Sequence, residues 1–404
     1  MARHPLRRFH IQLSGFYFFY FAALGGLIPY LGLFLRSSGF GPGAIGSIMA
    51  LLMSSRIVAP LVWGWLADHQ ERRMVFVRLA ALLALVSFSA VYVAREFWAM
   101  AAAVFVFGFF WNASLPLLEA TTMSHLGSDP GAYGRVRLWG SVGFIASVLA
   151  LGVVTGRYGP GSLLPGLSLL LSAIWLIALV LPETELRGRL GHPGPLRQAL
   201  LRREVFAFLV ACFLMQLSHG PYYTFYSLYL AGHGYSNRTI GALWAFAVLC
   251  EIGVFLAMRR LLSRIALRPV LLGSFALAAL RWLLIGYFPG HLGVLVFAQA
   301  LHAATFGAFH AVAMQLIHEF FTGRHQHRGQ AIYGSASIGL GGAVGSFWAG
   351  RAWTALGPTE TFTLAALAAG LAFLVALFLL RPSVPDRRSA SRGAAGTAAV
   401  RRAI

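Results

Sequence analysis

A chain of 404 residues that is 58% hydrophobic and 11% charged, with a mean hydropathy of +0.72, is not a soluble domain, because such domains carry about 25% charged residues. Its formal charge of +20 comes from 32 basic residues, all of them arginine. They sit between apolar stretches rather than on a soluble module with stacking aromatics, which excludes a nucleic-acid role. Cys212 and Cys250 both fall inside apolar stretches and offer neither a disulfide framework nor metal-ligand spacing, so no metal or cofactor is expected.

Apolar segments long enough to cross a bilayer core as helices recur along the whole chain. They lie near 9–35, 43–67, 74–94, 97–125, 136–157, 162–181, 205–231, 239–260, 269–288, 292–318, 329–352 and 360–381. The first is too long for a signal peptide and lacks a small-residue cleavage site. The expected fold is therefore an all-α membrane protein of twelve transmembrane helices. A loop rich in Gly, Pro and Arg divides them six and six. The expected units are 1–181 and 205–384 as six-helix bundles, 182–204 as a cytoplasmic central loop and 385–404 as a disordered tail. Arginines crowd alternate loops, and the intervening loops hold only Arg36, Arg95, Arg157, Arg238 and Arg351. That asymmetry places both termini in the cytoplasm.

The two halves repeat. Leu33, Leu35, Gly39, Ile45 and Gly46 return as Leu228, Leu230, Gly234, Ile240 and Gly241 at a constant offset of 195 residues. Trp139–Ser141 and Gly156–Arg157 meet Tyr333–Ser335 and Gly350–Arg351 at an offset of 194. A register held across a span, a loop and the next span marks two parallel repeats, with a substrate site expected between them near mid-membrane.

Gly64, Leu66, Ala67, Asp68, Arg72 and Arg73 resemble the loop motif between spans 2 and 3 of the major facilitator superfamily. The resemblance implies gating: Asp68 caps and pairs across the gate while Arg72 and Arg73 contact a neighbouring helix end. His69 and Glu71 depart from the motif, and Ser263 stands where the second half would carry an acid.

Charges inside the spans are few, and each costs at least about 2.5–3.5 kcal/mol at the bilayer centre unless it faces a polar cavity or a partner. They are Arg56, Glu119, Arg137, Glu251 and Arg281, joined by His219, His302 and His310. Three Arg against two Glu leave a surplus that an anionic substrate would neutralise, although a structural ion-pair network would use the same residues. Gln216, His219, Tyr223 and Tyr226 fall on one helical stripe, as do Asn112, Pro116 and Glu119, and Trp244 lies seven residues before Glu251. An unpaired buried carboxylate takes up a proton, the property that a proton symporter needs.

PLLEA (Pro116–Ala120) followed by YGRVRLWGSVGF (Tyr133–Phe144) resembles the lactose permease type of proton symporter. The resemblance implies that Glu119 and Arg137 form a substrate-binding pair, that Phe144 stacks on substrate, and that Glu251, Arg281 and His302 couple protons. Thr305 departs from the pattern, standing where that family has a second coupling carboxylate. A longer resemblance, carried by SHGPYYTFYSLYLAGHGYS, LWAFAVLCEIGVF, LRWLLIG, LHAATF and FHAVAM, is to the 3-phenylpropionate transporter group.

Other functions are weaker on the residues. Drug/proton antiporters carry a Gly-Pro-rich motif in the fifth span, and Gly140–Gly156 contains no Pro. An embedded zinc protease would need a second His four residues after His318, where Thr322 stands, so the chain is not read as an enzyme. The expectation is a monomeric, proton-coupled importer in a bacterial inner membrane, with the lipid bilayer, protons and a small organic substrate as its partners. Tyr222, Tyr223, Tyr226, Phe144 and Trp244 would hold an aryl group, with Arg56, Asn112 and His219 also in the site, and buried arginine would meet a carboxylate. His310 joins the expected proton-coupling group. A sugar or nucleoside held by Glu119 and Arg137 is the alternative.

Overall fold

A computed structural model describes residues 3–70, 73–126, 130–183, 200–322 and 325–380. Arg72, the Asp68 side chain, most of the central loop and the tail from 381 lie outside the described residues. All regular structure among the described residues is helical. The first six helices are α1 (Arg3–Ser37), α2 (Pro42–Gln70), α3 (Arg73–Phe88), α4 (Phe97–Leu126), α5 (Pro130–Tyr158) and α6 (Leu163–Val180). Then come α7 (Arg203–Ser218, resuming as Gly220–Gly232), α8 (Asn237–Leu262) and α9 (Leu267–Tyr287). Helix α10 runs from Leu292 to Phe320, α11 from Gln326 to Ala355, and α12 from Pro358 to Leu379.

Eleven of these are long and apolar enough to cross a membrane, and each lies within a few residues of an expected span. The exception is α11, whose middle is the Gly- and Ser-rich π-helical segment Gly334–Gly341. It is nonetheless helical where the repeat places a span. It packs along α2, so its polarity faces protein rather than lipid.

The repeat seen in sequence is built in the backbone. Gly39 and Gly234 both take positive φ, 93° and 85°, and end α1 and the second part of α7. In each, the next residue donates back five positions, Phe40 N to Leu35 O and Tyr235 N to Leu230 O, both 3.1 Å. Only a residue without Cβ enters that left-handed cap at no steric cost. Gly159 and Gly357 form a second pair, with φ of 83° and 101°, each followed by a proline that opens the next helical segment. Arginines repeat a clamp as well. Arg78 on α3 donates to the carbonyls of Ala178 and Leu181 at the end of α6, and Arg268 on α9 donates to Leu377 O at the end of α12. These carbonyls have no partner within their own helix.

Within the first six helices α1 packs on α5 and α6, α2 on α4, and α3 on α4 and α6; in the last six α9 packs on α12 and α8 on α10. The two sets meet through α2 with α11, α5 with α8, and α1 with α7. At the end away from the chain termini they touch backbone to backbone. A Cβ on Gly46 would strike the backbone of Gly350, and one on Gly152 or Gly241 would strike the Tyr30 hydroxyl wedged between them. Tyr30 donates to Val148 O at 2.6 Å, and Asn237 Nδ2 on α8 donates to Thr155 Oγ1 on α5 at 3.1 Å. That end of the seam is sealed by small residues and neutral hydrogen bonds.

Candidate substrate and proton site

The interior of the last six helices is organised around Arg281, which is fully enclosed. Its Nε donates to Ala298 O at 2.9 Å, Nη2 to Gln299 Oε1 at 2.7 Å, and Nη1 to both His302 Nδ1 at 3.1 Å and Thr305 Oγ1 at 3.2 Å. The guanidinium also lies over the Tyr222 ring, 4.2 Å from its centroid. Gln299 is locked in turn, accepting from the Tyr222 hydroxyl and donating to Leu243 O. Every partner of Arg281 is neutral. Thr305, which stands where the lactose permease pattern has a second carboxylate, accepts from the arginine.

Arg281 fixes the state of His302. A guanidinium only donates, so Nδ1 of His302 accepts and the ring proton sits on Nε2. That nitrogen faces Glu251 Oε2 at 3.4 Å. Glu251 reaches this position because Gly307, in the π-helical segment Ala303–Ala308 of α10, has no side chain: a Cβ there would lie 3.1 Å from Glu251 Cγ. Further along α10 the rings of His302, Phe306 and His310 stack in parallel, at centroid spacings of 5.2 and 6.3 Å. Tyr333 on α11 approaches His310 Nδ1 at 3.5 Å.

The first six helices present a looser arrangement. Arg137 stacks its guanidinium on Phe21, 3.9 Å from the ring centroid, and shares electrostatic range with Glu119 and Tyr133. No ion pair within 4.0 Å joins Glu119 to Arg137 among the described residues. Arg56 lies near Tyr20 and, across the seam, Tyr223. Glu251 in turn senses Arg137 from the opposite set of helices. Arg56, Glu119, Arg137, Tyr223, Glu251 and His310 all keep partial accessibility. Charged groups so placed do not face lipid, and electrostatic contacts cross from one set of helices to the other, which makes these residues the candidate lining of a site between the two sets.

The other expected site residues stand behind that lining. Tyr222, Tyr226, Trp244, His219, Phe144 and Asn112 are buried. Trp244 Nε1 donates to Ser227 Oγ at 3.0 Å, and Asn112 Nδ2 to Ser55 Oγ at 2.9 Å, so both serve helix packing. His219 bonds Met215 O through Nδ1 and packs between Tyr223 and Trp282, its Nε2 without a partner. The stripe read on α7 is interrupted at this point. Pro221 cannot continue the hydrogen-bond ladder, Gly220 crosses Gly345 too closely for any Cβ, and the helix breaks at His219. Of the gating residues, Arg73 opens α3. At that helix start the Met74 N–H is capped by Glu183 at 2.9 Å. Sequence reasoning missed Gln299, Tyr133, Phe306 and Tyr333. Gln299 alone carried a usable signal, a polar residue three positions before His302 in an apolar span.

Known proteins share this architecture. A chain from Escherichia coli (strain K12), "Probable 3-phenylpropionic acid transporter", is 28% identical over 379 residues, spanning 92% of this chain and 97% of the relative. The maltose permease of Geobacillus stearothermophilus is 30% identical over 336 residues, spanning 81% and 83%. The crystal structure of nucleoside transporter NupG superposes with a TM-score of 0.77 at 17% identity, covering 92% of this chain and 98% of that one. The MFS_1 like family model matches residues 10–364. With that match over most of its length and the helical architecture above, the chain belongs to the MFS_1 like family and is a multi-pass membrane transporter of the major facilitator type, not an enzyme.

Proposed function

We propose that the chain imports a small aromatic monocarboxylate together with a proton. The observation that carries the reading is Arg56. It keeps partial accessibility and lies within electrostatic range of Tyr223 across the seam, with no carboxylate in ion-pair range among the described residues. An arylalkanoate would set its carboxylate on Arg56 or Arg137 and its ring against Tyr223. Arg281 takes no part in that contact, because its donors are occupied and it is fully enclosed. Glu251, which keeps partial accessibility and faces His302 Nε2 at 3.4 Å, is the proton carrier. The relative described as a 3-phenylpropionic acid transporter gives the substrate class its support.

The same reading places the protein in a bacterial inner membrane as a monomer with both termini cytoplasmic, built from two six-helix bundles, so that the sealed end faces outward. Reporter fusions after Gly191 and after Arg388 are then expected on the cytoplasmic side and one after Ser236 outside. The direct test is uptake of labelled 3-phenylpropionate into proteoliposomes under an inward proton gradient. A monoanion entering with one proton moves no net charge, so an imposed potential, worth about 2.3 kcal/mol per charge at 100 mV, should not drive accumulation. Accumulation of the amide analogue as readily as the acid would refute the carboxylate reading. A second reading rests on Glu119 with Tyr133 and Arg137, an acceptor and donors set together for hydroxyls. Uptake of maltose or uridine in place of the acid would favour it.

A further inference from the structure

The end of the molecule away from its termini carries an uneven charge. Five arginines lie there, and of the twelve acidic residues in the chain only Glu96 and Glu360 do. Arg95 is followed directly by Glu96, on the connection between α3 and α4. Glu360 folds back toward Gly357 at the start of its own helix, where a carboxylate suits the helix N-terminus. Glu360 is thus set at the start of its own helix, and Glu96 precedes α4 beside Arg95 in the chain.

The remaining four, Arg36, Arg157, Arg238 and Arg351, are exposed and make no ion pair among the described residues. They are set at the seam itself, at the ends of α1, α5 and α11 and the start of α8, the helices through which the two sets of six meet. Arg238 Cα lies against Gly152 on α5, and Arg157 follows Gly156, which faces Asn237. Arg351 follows Gly350, which packs on Gly46 and Pro42. Arg351 and Arg157 lie over Phe347 and Tyr158, aromatic contacts that leave their charge uncompensated.

We propose that these four arginines form a cationic collar around the entrance, capturing small organic anions from solution before the seam opens. Like charges gathered at a low-dielectric mouth raise the local concentration of anions by about 10-fold or more, an effect that salt screens. The purpose assigned to the collar rests on the carboxylate reading above, whereas its existence is measurable without any transport.

A reporter thiol serves that measurement. In a chain carrying Cys212→Ser and Cys250→Ser, Tyr158→Cys places a thiol beside Arg157, at a position 69% exposed. Its labelling rates by an anionic sulfonatoethyl and a cationic trimethylammonioethyl methanethiosulfonate are compared in phosphatidylcholine vesicles, each normalised to a free thiol. The anionic reagent is expected to react about 10-fold faster at low salt, and the preference to vanish near 1 M salt, where the Debye length is about 3 Å. Adding Arg157→Gln and Arg238→Gln should remove most of it. A ratio near one in the parent, or one indifferent to those substitutions, would overturn the collar. Loss of the preference in vesicles containing phosphatidylglycerol would assign the arginines to lipid phosphate instead of dissolved anions, and would also overturn it. With the collar present, the same double substitution should raise the KM for 3-phenylpropionate uptake several-fold at low salt with kcat unchanged, and an unmoved KM would overturn capture. Absence of phenylpropionate uptake by the parent would count against the substrate, and the labelling ratio would still decide the collar.

Discussion

The interiors of the two sets of helices differ in how they hold their charges. In the last six, Arg281 is enclosed, donates to four neutral acceptors and fixes the tautomer of the histidine beside Glu251. In the first six, Arg137 lies over the Phe21 and Tyr17 rings and interacts with Tyr133. Among the described residues Arg56 has only Tyr20 and Tyr223 in electrostatic range, and both arginines keep partial accessibility. A saturated network cannot accept a ligand without losing bonds it already has. An unsaturated one gains them on binding. On the proposed function, proton handling falls to the preorganised side and anion recognition to the open side.

Substitution of the arginines should separate these roles, and Arg281→Gln has the largest expected effect. It leaves His302, Gln299 and Thr305 without their shared donor, and hydrogen bonds to charged groups contribute about 1.5–3 kcal/mol each. The variant is expected to lose thermal stability in detergent as well as transport. Arg137→Gln and Arg56→Gln should melt like the parent and lose affinity for the acid by about 30-fold or more, since removing a buried charge partner costs about 2–5 kcal/mol. If Arg281→Gln kept its melting temperature and lost only substrate affinity, the division between the two interiors would be wrong.

The aromatic residues give a smaller contrast of the same kind. Tyr223→Ala removes an accessible ring and should weaken binding of an aryl acid by about 1 kcal/mol, with little change in melting. Trp244→Phe removes the Nε1 donation to Ser227 and should cost about 1 kcal/mol of stability, with substrate affinity unchanged. Thermal shift with and without 3-phenylpropionate reads both quantities on each variant.

The fold was legible because runs of about 20 apolar residues have one stable use in a bilayer. Helix α11 was legible as the apolar run 329–352, with support from the repeat, although its hydropathy is diluted. Its glycines and serines at Gly334–Gly341 dilute hydropathy because they line a contact with α2 and α7. Rare charges also drew attention to Arg281, His302 and Glu251, which the fold brings into one chain of contacts. The boundary between lining and framework was not legible. Helical periodicity places Gln216, His219, Tyr223 and Tyr226 on one face only while the helix is continuous, and it breaks at His219. Gln299 and Asn112 are uncharged amides, so no cost of burial flagged which of them holds a charged hub and which ties two helices together.

The central claim is that Glu251 carries the proton while the opposite interior carries the substrate. It is tested most directly by two assays on one proteoliposome preparation of Glu251→Gln. The amide keeps the size of the side chain at 3.4 Å from His302 but cannot release a proton. Exchange of labelled for unlabelled 3-phenylpropionate needs only binding and the conformational change, and it is expected to persist. Uphill accumulation driven by an inward proton gradient, which in the parent should rise as external pH falls, is expected to disappear. Normal accumulation by Glu251→Gln would contradict the account and remove this carboxylate from the coupling step.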